Sequence, residues 1–315
     1  MDGVTPDSEI LLQSEDQRVI VSPWGASLRR YFTVAGDGRE TDIVWGYSRG
    51  AGKKGGQGDV LIPFPGRIRG GRYGFDGHEY QLECNDKEGP NAIHGFVRTI
   101  PWVLRRANRT EATFEVELEA ARYKTRGYPF SLAIELTYEL TQGVLACSFA
   151  VRNRGGSSAP VGVGFHPYFT VGTHRIDEAE CRIPSAAYLD FEDLVPTGGV
   201  VRVEGTDWDF RDRRPIGIRR FNHCYVELQH DNRGLATASL RDPKTGRTVE
   251  IEMDRSFTAV VVYTGDAISD APRRALAIEP MTCATDAFNH PEWGLTRLEP
   301  DEQCTGRYVI RHRPG

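Results

Sequence analysis

Two side chains in this sequence sit in settings suited to acid–base chemistry. His166 lies in the apolar, aromatic run Gly162-Val163-Gly164-Phe165-His166-Pro167-Tyr168-Phe169-Thr170-Val171-Gly172. Pro167 follows it at once and biases it towards extended backbone, while the glycines leave room for close backbone approach. The stretch reads as a strand end presenting one imidazole beside aromatic rings. Imidazole titrates near neutral pH and is the commonest acid–base catalyst. The same pattern also suits a core histidine satisfied by a backbone carbonyl. Glu279 closes the apolar run Ala275-Leu276-Ala277-Ile278 and precedes Pro280. A carboxylate at a buried strand end is costly to desolvate unless it has partners. Such a residue is either functional, with a raised pKa suited to a base, or a strand-terminal Glu whose head reaches water.

Three further patches hold polar groups able to bind. Arg67, Arg69 and Arg72 fall within six residues ahead of the Asp76-Gly77 turn. They form a solvated edge strand, or one guanidinium points into a cleft and donates to hydroxyls or carboxylates. His94 precedes Gly95 in Asn91-Ala92-Ile93-His94-Gly95, and Asn222-His223 interrupts a strand-like run between Phe221 and Cys224. Either of the latter pair faces a pocket or water.

The elements that must carry these groups are strands. Phe114, Val116 and Leu118 alternate with Glu115 and Glu117; Leu132, Ile134, Leu136, Tyr138 and Leu140 alternate with Ala133, Glu135, Thr137 and Glu139; Leu145, Cys147, Phe149 and Val151 continue the period of two. That is a meander of antiparallel strands with one face in and one out. Asp76-Gly77, Gln142-Gly143 and Asp242-Pro243-Lys244-Thr245-Gly246 are turns between runs. Val260-Val261-Val262-Tyr263 is continuous, as a strand covered on both faces would be. With no helical period in any long window, and with 34 Gly and 18 Pro, the reading is all-β: a large antiparallel sandwich, one domain over residues 1–315. The glycine-rich loop 50–58 is the most mobile-looking piece. It lacks a Gly-Lys-Ser/Thr ending and no helix follows, which argues against a phosphate loop.

The 315 residues carry a formal net charge of -5 with both signs interspersed. No broad basic field for nucleic acid and no polybasic membrane anchor is present. The six cysteines are scattered without a CxxC, and no Cys/His spacing suits structural zinc. Cys147, alternating with apolar neighbours, reads as a small core residue. Met1-Asp2-Gly3-Val4 has neither a charged nor an apolar leader region. The expectation is a cytoplasmic enzyme with free thiols, monomeric or homodimeric, with a small-molecule partner.

Taken in order, the patches resemble the aldose 1-epimerase (galactose mutarotase) family. Gly66-Arg67-Ile68 running into the Asp76-Gly77 hairpin is similar to its Asn-Arg-Ile segment. Asn91 to Gly95 is similar to its Asn-x-x-His-Gly, Phe165-His166-Pro167-Tyr168-Phe169 to its His-x-Tyr-Phe, and Phe221-Asn222-His223 to its Phe-Asp-His. Tyr263-Thr264-Gly265 followed by Ile278-Glu279-Pro280 resembles its carboxyl-terminal base segment. No one motif is specific; five in order, from about residue 10 to about residue 310, are.

The resemblance implies a galactose-mutarotase-type β-sandwich and a cofactor-independent isomerase with no metal that interconverts the anomers of a hexose. It implies that His166 is the general acid and Glu279 the general base. Arg67 and His94 would bind sugar hydroxyls and the ring oxygen, and Asn222 stands at a substrate-binding position. Three departures fall on the binding side: Gly66 for Asn, Asn222 for Asp, and Val261 where many members carry Gln. Two alternatives remain. The arginines suit a phosphorylated or sulfonated sugar, and a non-catalytic sugar-binding protein could keep the same fold, though a pure binder needs no acid–base pair.

Overall fold

Alternating side chains build the central meander. In the strand Leu132–Thr141 the side chains of Leu132, Ile134, Leu136, Tyr138 and Leu140 are buried while Glu135 and Glu139 are exposed. Each large side chain removed from water contributes roughly 1.5–3 kcal/mol, so a one-residue slip that exposed the whole row is excluded. Its partners Glu111–Leu118 and Val144–Asn153 pair with it in continuous antiparallel register. In the computed structural model, which describes residues 9–48 and 52–315, these strands belong to a nine-stranded sheet. Its order is Val103–Ala107, Glu111–Leu118, Leu132–Thr141, Val144–Asn153, Gln303–Arg313, Thr248–Met253, Ala236–Arg241, Glu180–Arg182, Arg214–Pro215. Met1-Asp2-Gly3-Val4 and the start of loop 50–58, Gly50 and Ala51, lie outside the described residues.

The second large sheet has twelve strands. Four amino-terminal strands, Ile10–Ser14, Gln17–Ser22, Ser27–Val34 and Glu40–Val44, lead into Tyr168–Phe169, Leu276–Met281, Ala259–Tyr263, Asn222–Leu228, Ser185–Glu192 and Val195–Arg202. The short pieces Val60–Leu61 and Gly164–Phe165 attach beside Leu276–Met281. Both sheets share one apolar core. Tyr138 of one donates its hydroxyl to the Ala26 carbonyl at 2.8 Å, and Phe165 of the other packs on Tyr308 with ring centroids 4.8 Å apart. Cys147 is buried in that core as a free thiol. Among the described residues the helices are a four-residue α-helix, Ala120–Tyr123, and short 3₁₀ turns. None is long and apolar enough to cross a membrane.

At the hairpin Arg72–Phe75/His78–Gln81, Asp76 and Gly77 have φ of 51° and 74°. Two positive φ values make the primed turn that matches strand twist. The run Val260 to Tyr263 differs from expectation. Val260 and Val262 enter the core, but Val261 and Tyr263 are only partly buried and line a cleft on the other face.

Candidate active site

Strand register places the cleft floor. Cys224, Val261 and Glu279 are partners across three adjacent strands. Asn222, Tyr263, Ala277 and Tyr168 form the next such row. Cross-strand partners share a face, so alternation that sends Ile278 and Val262 into the core sends Glu279 and Val261 to the cleft. Glu279 is not at a strand end. It sits inside Leu276–Met281, whose six residues are all buried, and it is 3 % exposed, so its head does not reach water as a strand-terminal Glu would.

The same alternation turns Phe165 into the core and His166, 5 % exposed, towards Glu279. Nε2 of His166 lies 3.3 Å from Oε1 of Glu279. Tyr168 stacks on the imidazole, centroids 5.1 Å apart and planes 18° apart. Burial pushes the Glu279 carboxyl well above the ordinary carboxylate range, with the Arg67 charge pulling part of the way back. Burial likewise pulls His166 down to about 3. Both effects disfavour charge, so the pair holds one proton along the Nε2–Oε1 contact rather than two separated charges.

A two-residue ladder, Arg67–Ile68 against Ala92–Ile93, delivers Arg67 and His94 to the wall. His94 is buried beside His166, ring centroids 5.5 Å apart, and burial holds its pKa well below the ordinary imidazole value. Its Nδ1 accepts from the Gly66 N–H at 3.2 Å while its own N–H donates to the Gly66 carbonyl at 2.9 Å. An accepting Nδ1 puts the ring proton of the neutral imidazole on Nε2, leaving His94 a donor.

Arg67 is already paired, through Nε with Asp86 and through a terminal nitrogen with Glu88, both at 2.7 Å. Burial pushes Asp86 up, but hydrogen bonds from Arg67, the Glu88 backbone and Asn91 outweigh it and hold that carboxyl below its ordinary range. Arg69 and Arg72 do not line the cleft: Arg69 donates to the Pro196 carbonyl at 2.6 Å, and Arg72 lies exposed against Gln81. Both members of Asn222-His223 line it, Asn222 exposed and His223 against Trp208, with burial lowering His223 to about 4. The cleft measures about 890 Å³.

The mobile-looking glycine loop is part of this site. Lys53, Lys54, Gly55 and Gly56 line the cleft, as do Arg98 and Thr285. The loop's glycines suggested only mobility, and Arg98 and Thr285 carried no signal in their own sequence neighbourhood. Nor did Asp86 and Glu88, which sit in an ordinary polar stretch.

Gly66 has φ of 68°, and a Cβ there would collide with the Thr285 side chain. Thr285 therefore fills the space that a side chain at position 66 would need. Gly66→Asn is expected to destabilise the fold by about 1–3 kcal/mol through overpacking and backbone strain. Adding Thr285→Gly should recover part of that loss, as read by thermal unfolding. Additive effects of the two changes would show that they do not share the space.

Comparison with known proteins agrees with this fold. The family model described as aldose 1-epimerase matches residues 8–311. The Escherichia coli K12 protein YihR is 31% identical over 233 residues, covering 74% of this chain and 71% of YihR. Bovine galactose mutarotase is 27% identical over 318 residues, covering 93% of this chain and 90% of its own. Among solved structures, a GalM/aldose epimerase homologue from C. elegans superimposes with a TM-score of 0.86 at 18% identity, covering 98% of this chain and 99% of that one. Galactose 1-epimerase from Lactobacillus acidophilus gives 0.80 at 19% identity, covering 98% and 94%. The order of motifs, the paired sheets and the near full-length match lead to one assignment: this chain belongs to the aldose 1-epimerase family.

Proposed function

We propose that this chain interconverts the α and β anomers of a free hexose by acid–base ring opening. The observation that carries the reading is the buried His166–Glu279 contact, Nε2 to Oε1 at 3.3 Å, on the floor of a cleft walled by Arg67 and His94. A cyclic aldose presents two oxygens on C1, the hydroxyl and the ring oxygen. Glu279 takes the proton of the C1 hydroxyl, and His166 gives a proton to the ring oxygen. The bond between C1 and the ring oxygen breaks, leaving an aldehyde. Rotation about C1–C2 and reclosure with the roles exchanged gives the other anomer. The neutral pair and the Glu⁻/His⁺ pair differ only by transfer of one proton along the contact, so the proton count needed is already present. His94 Nε2–H donates to a sugar oxygen, and Arg67, held by Asp86 and Glu88, offers its remaining donor edge to hydroxyls. Each positioned proton transfer contributes on the order of 10²–10⁴-fold.

Polarimetry or anomer-resolved NMR on freshly dissolved α-sugars tests the reading. Accelerated mutarotation of a hexose is the expected result. No acceleration for any sugar in a panel would replace it with a non-catalytic sugar-binding protein.

The neutral Asn222 at the cleft and the nearby Arg220 favour a second reading, an anionic sugar. Against it, the cleft cations other than Lys87 already have carboxylate partners. Lys53 and Arg98 pair with Asp59, Lys54 with Asp270, and Arg220 with Asp266. An unpaired guanidinium would bind a phosphate or sulfonate more strongly than these do. A neutral hexose is therefore expected to exceed its 6-phosphate and 6-sulfonate in kcat/KM by about tenfold, or 1.4 kcal/mol. The reverse order would make the anionic sugar the substrate.

A further inference from the structure

We propose that Asp59 is a positioning residue for His166, acting through the turn 53–58; the inference rests on the acid–base role given to His166 above. A working imidazole is ordinarily oriented by a hydrogen bond on the nitrogen that does no chemistry. His166 lacks that hold: among the described residues its buried Nδ1 has no hydrogen-bond partner on another residue. Packing must orient the ring instead. Tyr168 stacks on it, and Gly56 lies against its Cδ2–Nε2 edge so closely that a Cβ there would stand 2.9 Å from Cδ2 and 3.2 Å from Nε2. Tyr168 is tied to the same turn, its hydroxyl donating to the Gly55 carbonyl at 2.7 Å.

Asp59 holds this turn and the histidine together. It is 2 % exposed. Its N–H donates to the Gly56 carbonyl at 2.9 Å, and its carbonyl accepts the His166 N–H at 3.0 Å. The Gly58 N–H returns to the His166 carbonyl at 2.9 Å. Its carboxylate accepts from Lys53 at 2.5 Å, at the head of the turn, and from Arg98 at 3.1 Å, four residues beyond His94. A carboxylate this deep persists only when paired, and its two partners come from separate segments of the cleft wall. Removing its charge frees Lys53 and with it the turn that fixes the ring.

Asp59→Asn keeps size and backbone and removes the charge. It is expected to lower kcat about 10²-fold, the cost of a roughly 1 Å misplacement, with KM changed less than threefold. The His166 Cε1–H resonance should broaden or move, and its titration midpoint should rise from about 3 towards 6.5 as water reaches the ring. Lys53→Gln leaves Asp59 paired with Arg98 and should show the same changes to a smaller degree. If Asp59→Asn does not fold, Lys53→Gln carries the test alone. Folded variants with the parent's His166 resonance, titration and kcat would overturn the proposal, even if they melt at lower temperature. A displaced His166 resonance in a protein whose parent accelerates no sugar would support the positioning and sink the mutarotase reading.

Discussion

Glu279→Gln is expected to lower turnover by about 10²–10⁴-fold while leaving sugar affinity within a few-fold. The amide is nearly isosteric and lacks only the basic lone pair and the titrating proton. The same variant should be more stable than the parent near neutral pH. Burial raises the Glu279 pKa in the folded chain above its unfolded value. The stability contributed by burying its protonated form is fully present below the ordinary carboxylate pKa. It is lost as pH rises through the folded value. Glutamine is neutral at every pH, so the variant's advantage should be small near pH 4 and grow on going alkaline. An advantage of about 0.5–2 kcal/mol is expected, the usual size of a single stabilising substitution. Parallel polarimetry and thermal melts across pH check both halves. Parent-like turnover would mean that Glu279 is not the base; a pH-independent stability difference would mean that its carboxyl is not held protonated.

His166→Asn is expected to suppress turnover by a similar factor, about 10²–10⁴-fold, because it removes the imidazole that lies 3.3 Å from Glu279 and exchanges its proton. The parent's pH profile should identify the pair. The working form carries one proton over two sites. Activity should fall on the acid side as a second proton is added, and His166, pulled down to about 3, places that limb well below an ordinary imidazole. It should fall on the alkaline side as the single proton leaves, and the raised Glu279 places that limb above an ordinary carboxylate. The midpoints belong to the pair and not to either residue. A limb centred near 6.5 in a chemistry-limited assay would show that His166 titrates as an open imidazole and that the buried contact does not govern the reaction.

The sequence by itself determined the all-β class and the meander, and it singled out the two groups proposed to react. Its alternation of apolar and charged residues from Phe114 to Val151 is a local property, read directly because a strand shows its two faces to two different environments. His166 before proline and Glu279 after an apolar run were conspicuous for a related reason: a polar group inside an apolar segment has to be accounted for where it stands.

Tertiary structure decided the rest. The sequence could not tell whether Glu279 met water, because that depends on which strands flank Leu276–Met281, and those come from residues more than ten and more than a hundred positions away. Local composition could not choose among Arg67, Arg69 and Arg72, and only the family resemblance pointed to Arg67; the short ladder with Ala92–Ile93 turns Arg67 alone of the three into the cleft. It made the glycine loop look mobile, since glycines loosen an isolated chain. Here they let the backbone close on His166, where a Cβ at Gly56 would not fit. The clamp of Lys53, Asp59 and Arg98 has no local signature at all. Each of these is a contact between side chains far apart in sequence, and sheet order and register, which local periodicity does not encode, decide which of them meet.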